Sequence, residues 1–185
     1  MSFATGSRSG FSYVAENVFG TTPATPSMQD LPITGHRLNL EKQVIAGKQI
    51  QPDRQGVVFH HGQRSIGGTI EAEMRRDIYD PILQAAMMSS FSGGVMDIGT
   101  TLQSFTFEDR MNDITLYRKF TGCVIDKMSL RVQPNSLAGM TFSVVGQDQS
   151  SDMTSALDAN YDPVGTQEPF DSYRMVLQEG GTTIA

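Results

Sequence analysis

Apolar and polar residues alternate most regularly between Leu102 and Gln147, with a period of two. In LQSFTFEDRM, Phe105 and Phe107 alternate with Ser104, Thr106 and Glu108. Further on, Met128, Leu130 and Val132 alternate with Ser129 and Arg131, and Met140, Phe142 and Val144 interleave with Thr141, Ser143 and Val145. The pattern predicts three successive strands of one antiparallel sheet, apolar on one face. The other face is too polar for a core yet short of charge, which suits a surface that pairs with a second copy or lines a cavity. Between the last two strands, Gln133-Pro134-Asn135-Ser136 supplies turn chemistry and predicts a hairpin. Val124 and Ile125 are both apolar where alternation allows one, so a bulge or bend is expected near Gly122.

The same period recurs in SIGGTIEAEMR, where Ile66, Ile70, Ala72 and Met74 share one face and Thr69, Glu71, Glu73 and Arg75 the other. Leu38 and Leu40 flank Asn39 and predict a strand beyond Gly35. At Asp80-Pro81 the period lengthens: aspartate can cap a helix and proline is tolerated in its first turn, so a helix of about three turns follows, with Ile82, Leu83, Ala86 and Met87 on one side. It ends at SSFSGG.

Three stretches lack a period. Residues 1–30 are rich in Ser, Thr, Gly and Pro with few apolar anchors, among them Phe11 and Tyr13, and read as an arm ordered by docking on a neighbour. Residues 41–64 are broken by Gly47, Pro52 and Gly56 and read as a long projecting loop or hairpin. Residues 148–169 form a polar, acidic connection. Near the end, Tyr173, Met175 and Leu177 alternate toward a turn at Glu179-Gly180-Gly181, and the second arm of that hairpin is short. Either the chain is cut short at Ala185 or a neighbouring subunit completes the pairing.

Composition narrows the class. The 185 residues suit one domain with a real core, so residues 31–185 are read as a single β domain behind the arm. The formal charge of −6 argues against the phosphate-neutralising surface of an ordinary nucleic-acid binder. No apolar run approaches the roughly 20 residues of a membrane span, and no basic-then-apolar signal segment is expected. Cys123 is single and sits in a predicted strand, where a small core residue is the expected role.

Little in the chain nominates chemistry. Glu71 and Glu73 share an outward face, but acid–base work would require burial, and a solvated strand face fits better. His36 reads as a solvent-exposed loop histidine, and His60 and His61, adjacent in sequence, would point to opposite faces of a strand. Asp158-x-Asn160-x-Asp162 imitates the start of a calcium loop, yet Pro163 and Pro169 stand where glycine and glutamate are required. No nucleophile elbow, phosphate-cradling loop, dinucleotide fingerprint or paired-cysteine spacing is present, so no enzyme, cofactor, metal or small-molecule substrate is expected.

Taken in order, SYVAENVFGTTPATP, GGTIEAEMRRDIYDPIL, SFTFEDR, YRKFTGCVIDKMSLRVQPNSLAGMTFSVVGQDQ and PFDSY resemble the tail tube proteins, or major tail proteins, of long-tailed bacteriophages. The resemblance spans most of the chain, and its motifs are structural. It implies a mainly β protein: a β-sandwich or partly closed barrel of antiparallel strands with one flanking α-helix, a long loop and an N-terminal arm. It further implies stacking, as hexameric rings, into a hollow tube of the virion tail, assembled in the bacterial host cytoplasm, through which double-stranded DNA passes without specific binding. Partners would be other copies and the tape measure, tail terminator and distal tail proteins. Carried over, Glu71, Glu73, Thr106, Glu108, Thr141 and Ser143 would face an acidic lumen. Lys48, Gln49, Asp53 and Arg54 would contact the next ring, and Phe11 and Tyr13 a neighbouring subunit. Two other readings are open: the inner tube of a contractile tail or type VI secretion-like injection system, and a monomeric β-barrel ligand-binding module with a concave apolar pocket.

Overall fold

The computed structural model describes residues 8–47, 59–173, 176, 178–179 and 181–183. Its strands are β1 (Ser9–Ala15), β2 (Gln29–Asp30), β3 (Gly35–His36), β4 (Asn39–Ala46), β5 (Phe59–Glu73), β6 (Phe105–Met111), β7 (Leu116–Arg131), β8 (Gly139–Gly146) and β9 (Asp148–Gln149). One helix, α1 (Asp80–Met87), lies between β5 and β6, and β10 (Gln178–Glu179) with β11 (Thr182–Thr183) makes a small terminal hairpin. The strands join in one antiparallel sheet ordered β2-β1-β6-β7-β8-β5-β3, with β4 also pairing β5 and β9 also pairing β7.

That sheet curls into a partly closed barrel because β7 bends. Opposite β6 its register slips between the partners of Phe105 and Phe107, and opposite β8 it slips again between Ile125 and Lys127. At the first slip Gly122 takes φ +64, and a Cβ there would come within 2.8 Å of the Gln147 side chain, so glycine is required. The bulge expected near Gly122 is therefore the corner at which β7 passes from one half-sheet to the other. The remaining gap is closed by residues 31–36. Leu31 N–H donates to Phe11 C=O at 2.8 Å, and the His36 ring stacks on Phe11 at 4.8 Å.

Inside the curl, Phe11, Tyr13, Phe105, Phe107 and Phe120 pack against Ile66, Ile70, Phe142 and Val144, and α1 adds Ile82 and Ala85. Cys123 lies fully buried among them, and burial pushes its thiol up to about 12. Among the described residues no helix is long and apolar enough to cross a membrane.

Several expectations change. Residues 9–15, taken as part of an arm, form β1 and pair with all of β6. Composition concealed this because the partner strand, about a hundred residues away, supplies the burial. Phe11 and Tyr13 are each only 4% exposed, so they anchor their own core and not a neighbour's. Of residues 41–64, those described are the strands of a β4–β5 ribbon, while Lys48, Gln49, Asp53 and Arg54 lie outside the described residues. The helix has eight residues, nearer two turns than three; Tyr79 is its N-cap, Asp80 sits in its first turn, and Met88 ends it with φ 52. His36 is not a solvent histidine but a strand residue with its Nε2 3.5 Å from Asp109.

Candidate functional site

The two halves of the curled sheet turn opposite kinds of surface outward. In the half made by β1, β6 and the first part of β7, the outward face is roofed by residues 16–30 and by the connection after β9. Glu16 is the centre of one fastening. Its carboxylate accepts from Gly20 N–H at 2.8 Å, Gly122 N–H at 2.9 Å, Ser104 Oγ at 2.7 Å and Thr106 Oγ1 at 2.8 Å. Four donors on three stretches of chain thus converge on one buried carboxylate, tying the turn after β1 to the corner of β7.

Glu108 is the centre of the other. It accepts from Tyr161 O–H at 2.6 Å and Leu157 N–H at 2.9 Å, while the Arg110 guanidinium lies 3.6 Å above the Tyr161 ring and pairs with Asp30. Asp158 secures the same strap by accepting from Met28 N–H at 2.9 Å and Asn160 N–H at 3.0 Å. The Asp158-x-Asn160-x-Asp162 stretch therefore spends its oxygens on the Met28 and Asn160 amides and on Ser27, whose hydroxyl reaches Asp162. Burial raises the Glu108 carboxyl above the usual range against the pull of Tyr161, Leu157 and Arg110, whereas the amide donors hold Asp158 below it.

The expected lumen residues divide along this line. Thr106 and Glu108 are both 0% exposed, so neither can line a bore; alternation had placed them correctly on the polar face of β6, but the roof covers that face. Glu71, Glu73, Thr141 and Ser143 fall on the other half, where β5, β8 and the far part of β7 leave their outward face bare. Register puts Glu71, Thr141 and Ser129 in one row across β5, β8 and β7, Thr69, Ser143 and Lys127 in the next, and Glu73, Gly139 and Arg131 in a third, with the β8 residue in the middle of each row. The structure thus brings together four of the six candidates and adds Lys127, Ser129 and Arg131, which sequence reasoning did not nominate. The Gln133–Ser136 turn carried the missing signal, since it fixes the register of β7 on β8.

On the β5 side the rows of Glu71 and Thr69 meet β3 and residues 34–37, while on the other side β7 beyond Cys123 pairs, among the described residues, with β8 alone, because β6 begins opposite Cys123. Farther along β5, where it leaves β8, the outer edge of β4 is also unpaired among the described residues. Exposed apolar side chains sit near both, including Val44, Ile45 and Phe59 on the β4–β5 ribbon, Met128 and Leu130 on β7, and Val132 just past its end. A cleft of about 620 Å³ lies elsewhere, where residues 31–36 close the barrel, and mixes Phe11, Leu31 and Ile33 with Asp30, His36, Asp109 and Arg110. It is not the apolar pocket of a ligand-binding module.

A family model described as phage tail tube protein matches residues 6–185. The chain belongs to the phage tail tube protein family. It is a structural subunit of the tail tube, and its place is the virion tail. No curated protein matches it. Its fold is similar to a chain of the anti-feeding prophage baseplate, solved by cryo-EM with 6-fold symmetrisation, at 11% identity over 81% of this chain and 95% of that one, with a TM-score of 0.55. A chain of the anti-feeding prophage tube-terminating cap matches at 9% identity over 84% and 93%, with a TM-score of 0.51. The tail of an empty GTA particle, refined in C6 symmetry, matches at 9% identity over 82% and 98%, with a TM-score of 0.50. At these identities the likeness is one of fold.

Proposed function

We propose that this tail tube protein assembles with copies of itself into six-membered rings that stack into a tube, with the bare face of β5, β8 and distal β7 toward the bore. The single observation that carries the reading is that face, polar and unroofed, with an unpaired edge on distal β7 and another on β4 farther along β5. An open edge is a template for another strand, and here the two edges belong to different strands, so pairing them is heterologous and closes into a ring if the rotation permits. The partially six-fold company of similar folds, in the anti-feeding prophage baseplate and the GTA tail, supports that number.

Charge on the proposed lining departs from a uniformly acidic bore. With Glu108 roofed over, Glu71 and Glu73 on β5 are matched by Lys127 and Arg131 on β7, and the Thr141 and Ser143 stripe of β8 runs between them. Duplex DNA carries about one charge per 1.7 Å, and a lining without a net positive charge offers it no counterion-release grip, so passing DNA slides. Other tail proteins would cap and fill such a tube.

The test places a cysteine at Glu71 (Glu71→Cys) and challenges it with a maleimide carrying a polymer too large for the bore. The background is silent because Cys123 is buried. Labelling of the free subunit and protection in intact tubes is expected; equal labelling in both would turn the bare face outward and end the reading.

A further inference from the structure

Three buried carboxylates of this subunit sit among very different numbers of donors. Glu16 has four and Glu108 two, all within 2.9 Å. Asp109 has fewer. Its side chain is only 7% exposed and lines the cleft of about 620 Å³ where residues 31–36 close the barrel. Arg118, its register partner on β7, turns away to Asp152 at 3.1 Å, and the neighbouring Arg110 is committed to Asp30 and to the Tyr161 ring. Among the described residues that leaves His36 Nε2, 3.5 Å from Oδ1 and at the outer limit of a hydrogen bond, for a carboxylate with about four acceptor positions. A buried carboxylate this short of donors is costly unless something further donates to it.

We propose that the cleft is a binding site for an organic ammonium, a primary amine on an alkyl or aryl body, whose charged head donates to Asp109 while the body lies against Ile33, Met111 and Val164. Those three apolar side chains are half-buried on the cleft wall, and the volume falls within the roughly 300–1,000 Å³ of small-molecule sites. The lining selects for the head group. Arg110, the strong cation of the lining, is already paired with Asp30, which disfavours an anion. A metal ion such as calcium takes about six to eight oxygens, and among the described residues no three His, Cys, Asp or Glu side chains are grouped to hold one. A guanidinium fork seeks both oxygens of a carboxylate, but Oδ1 already faces His36. An ammonium, a compact point donor, needs only Oδ2. The same head is carried by a free amine and by a lysine side chain, and the experiment separates the two sources.

Hexylamine is titrated into purified wild-type protein at neutral pH and followed by saturation-transfer difference NMR, which observes the ligand and therefore reads free subunits and assembled tubes alike. Hexanol and hexanoate, with the same body and a different head, are the controls. Saturable binding with a Kd of about 1 mM is expected for hexylamine, with both controls at least about tenfold weaker. Asp109→Asn removes the charge at nearly constant size and should weaken hexylamine about tenfold or more. Val164→Trp fills the cleft without touching the carboxylate and should do the same, so a folding defect in one variant, seen by circular dichroism, leaves the other to decide. An acetylated and amidated Ala-Lys-Ala peptide is titrated in parallel. Tighter hexylamine assigns the site to free amines, a tighter peptide assigns it to a lysine side chain, and equal affinity means that the head alone is read; all three keep the ammonium assignment. Hexylamine binding the folded variants as well as wild type, hexanol binding as well as hexylamine, or no saturable binding of either ammonium probe overturns it.

Discussion

Two segments with nearly the same written pattern end in opposite environments. SFTFED in β6 and TIEAE in β5 each alternate apolar with polar and acidic residues, and each buries its apolar side in the same core. Yet Glu108 is fully enclosed while Glu71 stands in the open. The strand itself does not make the difference. Residues 16–30 and the connection after β9 cross the outer face of β6, and two carboxylates, Glu16 and Glu108, fasten them there; nothing in the described chain crosses β5 and β8. Period-two alternation tells which residues share a face and is silent about what lies over it. One half of the sheet thus completes itself, and the other is left for company.

The comparison breaks most visibly at Glu16. Glu16→Ala leaves Gly20 N–H, Gly122 N–H and two hydroxyls without their common acceptor in a buried site, and should cost about 4 kcal/mol. In thermal unfolding that is a fall on the order of 10 °C for a chain of this length. Glu71→Ala, on the bare half, should move stability by no more than about 0.5 kcal/mol. A Glu16 variant as stable as the Glu71 variant would mean that the roof is not fastened at this point.

Glu108→Ala should follow at about 2 kcal/mol, since it strands Tyr161 O–H and Leu157 N–H beneath the strap, and Tyr161→Phe at about 1 kcal/mol. The two should be strongly non-additive, and a double-mutant cycle measures it. Full additivity would show that the strap is held elsewhere, by Asp158 and Met28 for example.

How much of this was legible beforehand follows from the range of each interaction. The β6 to β8 strands, the turn at Gln133–Ser136 and the bend at Gly122 were readable because neighbouring residues decide them. β1 was not, since a Ser- and Gly-rich strand is made by a partner far away in sequence; the same holds for Glu16, whose four donors come from three separate stretches. Of the candidate surface, Glu71, Glu73, Thr141 and Ser143 share one outward face that no described segment covers. Lys127 and Arg131 were within reach through hairpin register. Thr106 and Glu108 could not have been sorted without knowing where the strap runs.

The smallest expected effect sharpens the comparison through pH. Burial raises the folded-state pKa of Glu108, so the folded state holds that proton more tightly than the unfolded one; the stability it contributes is full below the ordinary carboxylate value and is lost as pH rises through the raised value. Asp158 runs the other way: its lowered pKa contributes stability above the ordinary value that is lost as pH falls through the folded one. Between about pH 7 and pH 5, where Asp158 is ionised in both states, wild type should therefore gain Tm relative to Glu108→Gln. Asp158 is common to both proteins and largely cancels in the difference. Tyr161→Phe removes a donor that favours the charged form of Glu108, so in that background the same relative gain should arrive at higher pH. A flat trace for Glu108→Gln would show that burial beneath the strap does not hold its proton, and the roofed half would lose its electrostatic signature.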